Sequence, residues 1–273
     1  MRIIVLSVPA EAVELGSDRL WAAGAGAVEE RPGSDGRVEL RTTLGADDAA
    51  ARSRLGVVPS DWRVAFEDVD DEPAGTWREF ARPIRVADDL VISPAWIDHD
   101  RSGGASVVRI EPAGSFGLGD HPTTRLSAAL THEVVTPGDR VLDVGCGSGV
   151  LSIVAALRGA DRVVAIDVAE AAREATVDNA ARNGVGGRVD ASTVPVAEIA
   201  GEFDVVVANI LAPALASMAP SLRRCTAERG VLVVSGVLTG GYDHVIEALR
   251  PMRPIDERHL DGWSAVTLAH EQR

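Results

Sequence analysis

Residues 141–149 read VLDVGCGSG, and this stretch decides the fold class. An apolar run leads into Gly145, Gly147 and Gly149, and a helical pattern begins directly afterwards. Glycine lets a backbone turn tightly and approach a ligand closely because it has no Cβ. The pattern therefore predicts a buried strand, a ligand-binding loop and a helix, which together start a Rossmann-like α/β sheet.

The spacing of these glycines and the charge beside them indicate the kind of ligand. The loop reads G-x-G-x-G, whereas dinucleotide-binding loops prefer G-x-G-x-x-G and hold a pyrophosphate at the helix N-terminus. Asp143 adds a negative charge two residues before the first glycine. A cationic ligand without phosphate fits such a loop better than NAD does. S-adenosylmethionine (SAM), with its sulfonium and its amino group, is a ligand of that kind.

Asp167 lies at the C-terminal end of the next predicted strand, 22 residues after Gly145. In Rossmann-type sites an acid about 20 residues after the glycines accepts hydrogen bonds from ribose hydroxyls. The alternative is that Asp167 caps the helix predicted for Ala169–Asn183. The glycine loop upstream favours the ribose role.

The stretch DVVVANILAP, residues 204–213, predicts a second buried strand that ends in Asn209. Enzymes with α/β sheets place reacting groups at the carboxyl ends of central strands. The amide oxygen of Asn can accept a hydrogen bond from an amine. Alternatively, Asn209 is a turn residue without a chemical role.

Before the first of these strands lies a glycine-bearing loop, FGLGDHPTTRL, at residues 116–126. Its glycines indicate close backbone approach, and Asp120, Thr123 and Thr124 are predicted to cap the helix that follows. His121 is a candidate base, although a single histidine is more often structural. The alternative is a capped loop with no catalytic role.

The order of predicted elements divides the chain into three parts. Residues 1–69 follow the order β-α-β-β-α-β of a small ferredoxin-like α+β domain. Residues 70–88 are acidic and contain Pro and Gly, which is typical of a linker, with a short helix predicted at Thr76–Phe80. Residues 89–273 alternate strands with helices, as in a doubly wound parallel sheet.

The composition narrows the partners and the chemistry. The formal net charge is −14, and all 27 basic residues are Arg, so chemistry that needs a lysine of this chain is excluded. An acidic surface repels nucleic acid and attracts a basic protein, although acidity also aids solubility. Two cysteines predict neither a disulfide framework nor a zinc site. No signal peptide or membrane span is expected, so the sequence predicts a soluble, cytoplasmic protein.

In combination these motifs resemble a known family. FGLGDHPTTRL, VLDVGCGSGVLSI, AIDVAEAAREATVDNAARNG, DVVVANILA and VSGVL occur in the order found in the bacterial methyltransferases that modify ribosomal protein L11. The resemblance covers roughly residues 76–273 and implies a class I methyltransferase fold. It further implies SAM as cofactor, no metal, and N-methylation of lysine side chains or of an N-terminal amine. The small N-terminal unit matches the family's substrate-recognition domain in size and position.

The resemblance also implies roles for individual residues. Gly145 and Asp167 would hold the methionyl and ribose parts of SAM, Thr124 would face the cofactor, and Asn209 would lie beside the transferred methyl group. The remaining candidates for cofactor binding are Phe116, Gly117, Asp143, Gly147 and Gly149. One departure stands out: the family loop reads F-G-T-G, and Leu118 replaces its Thr.

Several other functions remain open from the sequence. They are methylation of another protein or of a small-molecule amine, a non-catalytic SAM-binding module, and a nicotinamide-dependent oxidoreductase. The last lacks a Tyr-x-x-x-Lys motif because the chain has no Lys. Base methylation in nucleic acid is disfavoured because no aromatic ring follows Asn209 to stack on a flipped base. We expect a monomer that acts on a basic protein, with no membrane partner and no direct nucleic-acid partner.

Overall fold

The computed structural model describes residues 2–25, 28–45, 47–68, 81–97, 104–111 and 119–271. The chain divides into two compact units, Met1–Phe80 and Ala81–Arg273. Most of the predicted linker and the helix predicted at Thr76–Phe80 lie outside the described residues. The end of that predicted linker does not have a linker's structure, since Ile84–Ala87 forms a strand of the second unit.

The first unit is an antiparallel sheet with two helices. Its strands are β1 (Arg2–Pro9), β2 (Glu29–Pro32), β3 (Arg37–Thr42) and β4 (Arg63–Asp68), and its helices are α1 (Val13–Ala22) and α2 (Asp48–Leu55). The strand order is β2-β3-β1-β4, with β1 antiparallel to both of its neighbours. This arrangement confirms the predicted ferredoxin-like plan.

The core of the first unit explains why β1 is its central strand. The side chains of Ile4, Leu6 and Val8 alternate along β1 and are at most 1% exposed. They belong to one apolar cluster that includes Leu20 of α1 and Leu55 of α2. Alternation with period two turns one face of the sheet toward both helices, and burying that face stabilises the unit.

The second unit begins with a small three-stranded sheet. Its strands are β5 (Ile84–Ala87), β6 (Leu90–Pro94) and β7 (Ser106–Ile110). The strand β6 pairs with β5 in the antiparallel sense and with β7 in the parallel sense. The sequence predicts short strands at Leu90–Ile92 and Ser106–Ile110, which correspond to β6 and β7, but it predicts no strand at β5.

The rest of the second unit contains a seven-stranded sheet with helices on its faces. The strands are β8 (Arg140–Val144), β9 (Arg162–Ile166), β10 (Val189–Ser192), β11 (Phe203–Asn209), β12 (Thr226–Leu238), β13 (Arg253–Leu260) and β14 (Trp263–Ala269). The helices are α3 (Pro122–Val134), α4 (Val150–Leu157), α5 (Glu170–Arg182), α6 (Ala212–Cys225) and α7 (Asp243–Ala248). The order β10-β9-β8-β11-β12-β14-β13, parallel except for β14, confirms the predicted doubly wound sheet.

Both faces of this sheet are covered. Val141 of β8 belongs to a cluster with α3 and α4, whereas its neighbour Leu142 belongs to a cluster with α6 and α7. In β11, Val205 and Val206 divide between the same two clusters. Central parallel strands are buried on both faces, which explains the continuous apolar runs in the sequence.

The topology fixes where a ligand can bind. From β8 the chain proceeds outward to β9 and β10, and it then returns to place β11 on the other side of β8. At such a switch point the connections after neighbouring strands diverge and leave a crevice at the carboxyl ends. The loop after β8 and the residue Asn209 at the end of β11 both lie at this edge.

None of the helices formed by the described residues is long and apolar enough to cross a membrane.

Candidate active site

The loop between β8 and α4 has a backbone that requires glycine. Gly145, Gly147 and Gly149 all adopt positive φ, at 77°, 54° and 80°. A Cβ on Gly145 would overlap the side chain of Ile210, and one on Gly149 would lie 2.9 Å from Cγ2 of Thr176. The loop therefore packs too closely against its neighbours to hold side chains at these positions.

The end of β9 holds the other side of this loop. The carbonyl of Ile166 accepts a hydrogen bond from the Gly145 N–H at 2.8 Å. The carboxylate of Asp167 accepts from the Gly147 N–H at 3.0 Å and from the Ala169 N–H at 3.0 Å. Asp167 thus supports both the loop and the start of α5, so part of the capping alternative is correct. A carboxylate has about four acceptor positions, so Asp167, which is half-buried, retains capacity for a ligand.

Asp143 is a buried acid beside the loop, only 1% exposed. Its Oδ2 accepts hydrogen bonds from the N–H of Ser152 at 3.0 Å and from the Ser152 hydroxyl at 2.6 Å. Its Oδ1 has no hydrogen-bond partner among the residues that the structure describes. Desolvation raises the pKa of Asp143 to about 6, and the charge of Asp167 adds to this shift. A buried acidic oxygen without a partner suits a cationic ligand.

The start of α3 supplies a second buried oxygen without a partner. Thr124 is fully buried, and within the described part of the chain its hydroxyl makes no hydrogen bond. The residue that caps α3 is His121, whose ring accepts a hydrogen bond from the Thr123 N–H at 3.3 Å, so the capping predicted for Asp120 and the threonines is wrong. Burial lowers the pKa of His121, which favours the neutral ring. Phe116, Gly117 and Leu118 lie outside the described residues.

Asn209 ends β11 at the same edge of the sheet. It pairs with Ser235 of β12, and the carbonyl of Ser235 accepts a hydrogen bond from the Ile210 N–H at 3.2 Å. Gly236 approaches the backbone of Ile210 so closely that a side chain there would collide with it. Asn209 is half-buried, and no residue that the structure describes forms a hydrogen bond with its side chain. Because Ile210 also contacts Gly145, the structure brings the end of β11 to the glycine loop.

Apolar side chains surround this edge and were not predicted as site residues. Leu211, two residues after Asn209, is 47% exposed. Leu238, the last residue of β12, is 52% exposed. Trp263, which pairs with Leu238, contacts the ring of His121 edge-on, with 5.0 Å between ring centroids. Side chains of this kind can exclude water from a reacting group. The sequence signal was weak because single exposed apolar residues are common on proteins.

Two polar residues of α5 complete the glycine loop and were also missed. The hydroxyl of Thr176 donates to the carbonyl of Gly147 at 3.2 Å, and the amide of Asn179 donates to the carbonyl of Ser148 at 2.9 Å. Both side chains are fully buried. Asn favours caps and turns over the middle of a helix, so its position there was the signal that could have identified it.

The described residues fit SAM. Three glycines leave room for close approach, and no described residue forms a hydrogen bond with Oδ1 of Asp143 or the hydroxyl of Thr124. Within the described ranges no group of three His, Cys, Asp or Glu side chains is placed to hold a metal ion. Cys146 and Cys225 are free, buried thiols.

The chain is similar to known proteins over most of its length. The profile of the family described as ribosomal protein L11 methyltransferase (PrmA) matches residues 46–271. A protein of that name from Symbiobacterium thermophilum is 36% identical over 249 residues, which are 90% of this chain and 78% of the relative. Another, from Geotalea daltonii, is 38% identical over 223 residues, covering 77% of this chain and 71% of the relative.

A solved structure is similar as well. It is described as ribosomal protein L11 methylase from Lactobacillus delbrueckii subsp. bulgaricus, and it aligns with a TM-score of 0.65 at 30% identity. The alignment covers 70% of this chain and all of that one. The chain therefore belongs to the ribosomal protein L11 methyltransferase family, and its cofactor is S-adenosylmethionine.

Proposed function

We propose that this enzyme methylates amines of ribosomal protein L11, on lysine side chains, on the N-terminal amine, or on both. The observation that carries the proposal is the family match over residues 46–271. The relatives from Symbiobacterium thermophilum and Geotalea daltonii, to which this chain is similar, are named for that substrate. The net charge of −14 favours association with a basic protein, because opposite charges steer encounter.

The proposal assigns SAM binding to the crevice at the carboxyl edge. Gly145, Gly147 and Gly149 leave room for its methionyl part, with Asp143 as the acid nearest its cationic groups. Asp167 accepts from the ribose hydroxyls, and the buried hydroxyl of Thr124 donates to or accepts from the cofactor. We extend the assignment to Phe116 and Gly117 from the resemblance alone.

Asn209 is the proposed catalytic residue. Bound SAM supplies a methyl group on a sulfonium that is a good leaving group. An ammonium has no lone pair, so the target amine must be neutral when it reacts. A free lysine has a pKa of about 10.4, and desolvation lowers that value. The amide oxygen of Asn209 accepts a hydrogen bond from the neutral amine and directs its lone pair at the methyl group.

Positioning of this kind accounts for catalysis without a strong base. Well-oriented reactants gain about 7–11 kcal/mol over free encounter. Leu211 and Leu238 form an apolar rim at this edge that contributes to desolvating the target amine. We expect His121 to act through the start of α3 and not as a base, since its ring already caps that helix.

We further propose roles for the two domains, and a location and an oligomeric state for the enzyme. The α+β unit, placed at residues 1–69 from the sequence, would select the protein substrate. The SAM-binding domain, placed at residues 89–273 from the sequence, would begin earlier than predicted, since the strand Ile84–Ala87 belongs to it. We infer that the enzyme acts as a monomer in the cytoplasm, where its ribosomal substrate is made. We expect no direct nucleic-acid partner and no membrane partner.

The test is mass spectrometry of purified L11 after incubation with the enzyme and SAM carrying a deuterated methyl group. Peptide mapping separates lysine side chains from the N-terminal amine. Label on L11 in whole methyl steps, absent with Asn209→Ala, is the expected result. Unlabelled L11 in the presence of an enzyme that binds SAM tightly would remove L11 as the substrate.

A second arm separates the two kinds of amine. L11 whose N-terminal amine has been acetylated keeps its lysines available, whereas L11 with its lysines replaced by arginine offers only the N-terminal amine. Label on only one of these substrates assigns the target class. A basic ribosomal protein of similar size serves as the control for charge, and we expect it to remain unlabelled.

A further inference from the structure

Helix α5 carries three polar residues on one face. Thr176, Asn179 and Asn183 are spaced by three and four residues, so they lie one above another along the helix. Thr176 and Asn179 are fully buried, and Asn183 is half-buried. Each is held by hydrogen bonds to backbone groups outside the helix.

The two asparagines bind the free edge of β7 as if they were another strand. The amide of Asn179 accepts from the Glu111 N–H at 2.9 Å and donates to the Glu111 carbonyl at 2.8 Å. The amide of Asn183 makes the same pair of bonds with Arg109, at 2.8 and 2.7 Å. Four residues of helix rise about 6 Å and two residues of strand about 6.6 Å, so the two spacings match.

The same face of the helix holds the glycine loop. The Nδ2 of Asn179 also donates to the Ser148 carbonyl at 2.9 Å, and the hydroxyl of Thr176 donates to the Gly147 carbonyl at 3.2 Å. Asn183 makes no such bond: apart from β7, its amide donates to the Asn179 carbonyl. Asn179 therefore joins the loop to the end of β7, whereas Asn183 binds β7 alone.

We propose that Thr176 and Asn179 are positioning residues of the cofactor loop, and that Asn179 couples cofactor binding to the edge of β7. Their donors fix two successive carbonyls of the loop and so limit the conformations of its backbone. Ordering the loop before SAM arrives removes an entropic cost from binding. Because coupling is reciprocal, bound SAM should also protect the β7 edge from opening. The inference rests on SAM as the cofactor and not on the identity of the methylated protein.

The decisive experiment compares Asn179→Asp with Asn183→Asp. Each substitution keeps an acceptor for a β7 N–H and replaces the donating amide by a carboxylate oxygen. We expect calorimetry to show SAM binding at least tenfold weaker in Asn179→Asp and within threefold of the parent in Asn183→Asp. Hydrogen exchange at Arg109 and Glu111 should accelerate in both variants. At saturating SAM, kcat of Asn179→Asp should stay within threefold, so that the loss appears in KM for SAM.

Equal losses of SAM affinity in the two variants, or none in Asn179→Asp, would overturn the proposal. Thr176→Val and Thr176→Ser test it without a buried carboxylate. The valine removes the bond to the Gly147 carbonyl and should weaken SAM binding more than threefold, while the serine, which keeps the hydroxyl, should restore it. Equal affinities for these two variants would contradict the role of Thr176. Because no protein substrate is present in the binding measurements, their result is independent of whether L11 is methylated.

Discussion

In the seven-stranded sheet, polar groups are paired differently where the parallel strands begin (the amino edge) and where they end (the carboxyl edge). At the amino edge, exposed polar groups of neighbouring strands pair with one another: Arg162 and Asp190 form an ion pair at 2.7 Å, and Asp204 accepts a hydrogen bond from the Arg140 N–H at 2.8 Å. At the carboxyl edge, by contrast, Asp143 and Thr124 are buried, and each has an oxygen without a hydrogen-bond partner among the described residues.

The difference shows which edge is built for a ligand. A surface depression of about 260 Å³ lies at the amino edge, lined by Arg140, Arg162 and Phe203 among others, yet its charged groups already have protein partners. A buried polar group without a partner costs about 1–3 kcal/mol. Because Asp143 lies two residues before the first glycine of the loop, its unpaired oxygen, and not the size of a depression, is the feature that marks the carboxyl edge as the candidate site.

The largest expected effect comes from a side chain on the glycine loop. Gly145→Ala places a Cβ at positive φ and against Ile210, so the backbone and packing costs together should lower the free energy of unfolding by about 2–5 kcal/mol. Calorimetry should find SAM binding weakened more than a hundredfold. Gly201→Ala is the control at the amino edge. At Gly201 φ is also positive, but an added Cβ would lie 3.5 Å from the nearest atom. The free energy of unfolding should therefore fall by about 1–2 kcal/mol, and SAM affinity should not change.

The next effect compares the two ends of β11. Asn209→Ala should lower kcat at least a hundredfold, about 2.7 kcal/mol in transition-state stabilisation, while SAM affinity stays within threefold. Asp204→Ala, at the other end of the strand, removes the hydrogen bond to the Arg140 N–H and should cost about 0.5–1.5 kcal/mol of stability without changing kcat. Steady-state kinetics and chemical denaturation check both. Parallel losses of kcat and SAM affinity in Asn209→Ala would refute its catalytic role.

A smaller effect follows from the buried acid. The pKa of Asp143 is raised to about 6 by desolvation, above its ordinary value of 3.8, so the folded protein holds this proton more tightly than the unfolded chain. The associated stabilisation is complete below pH 3.8 and is lost as the pH rises through 6. Compared with that of Asp143→Asn, the free energy of unfolding of the parent should fall by about 1 kcal/mol between pH 5 and pH 7.5. Denaturation at several pH values measures this, and identical pH profiles would contradict it.

The affinity for SAM should depend on pH in the opposite direction to the stability of the unbound protein. A cation beside Asp143 favours its ionised form, so SAM affinity of the parent should increase from pH 5 to pH 7. The increase should be absent in Asp143→Asn, which calorimetry at the two pH values can establish. A parallel increase in both proteins would show that another group controls binding.

The smallest effect is expected at the amino edge. Arg162 and Asp190 are each about 60% exposed, and an exposed ion pair contributes about 0.2–1 kcal/mol. Asp190→Ala should therefore change the free energy of unfolding by less than 1 kcal/mol and leave SAM affinity and kcat unchanged. Thermal denaturation and the same kinetic assays check this. A marked loss of activity would break the contrast between the two edges.

Much of the fold followed from local patterns. From the sequence, strands are predicted at Arg140–Val144, Arg162–Ile166, Phe203–Asn209 and Trp263–Ala269. The bounds of β8, β9, β11 and β14 agree with these, because buried strands read as short apolar runs between turn residues. The strands β5, β10 and β13 were missed. In β13 most residues are polar or exposed, and Pro254 lies within it, so its pairing with β14 at the sheet edge leaves little trace in the sequence.

Some features of the candidate site could likewise be predicted from the sequence, and others could not. The sequence by itself determined the glycine loop, Asp167 and Asn209 as candidates, because a backbone at positive φ and the end of a strand have local signatures. Only the tertiary structure placed Ile210 against Gly145, left the oxygens of Asp143 and Thr124 without partners, and joined Asn179 to Glu111, 68 residues away. Which groups meet and which stay unsatisfied depends on packing between distant segments, and a local pattern does not contain that information.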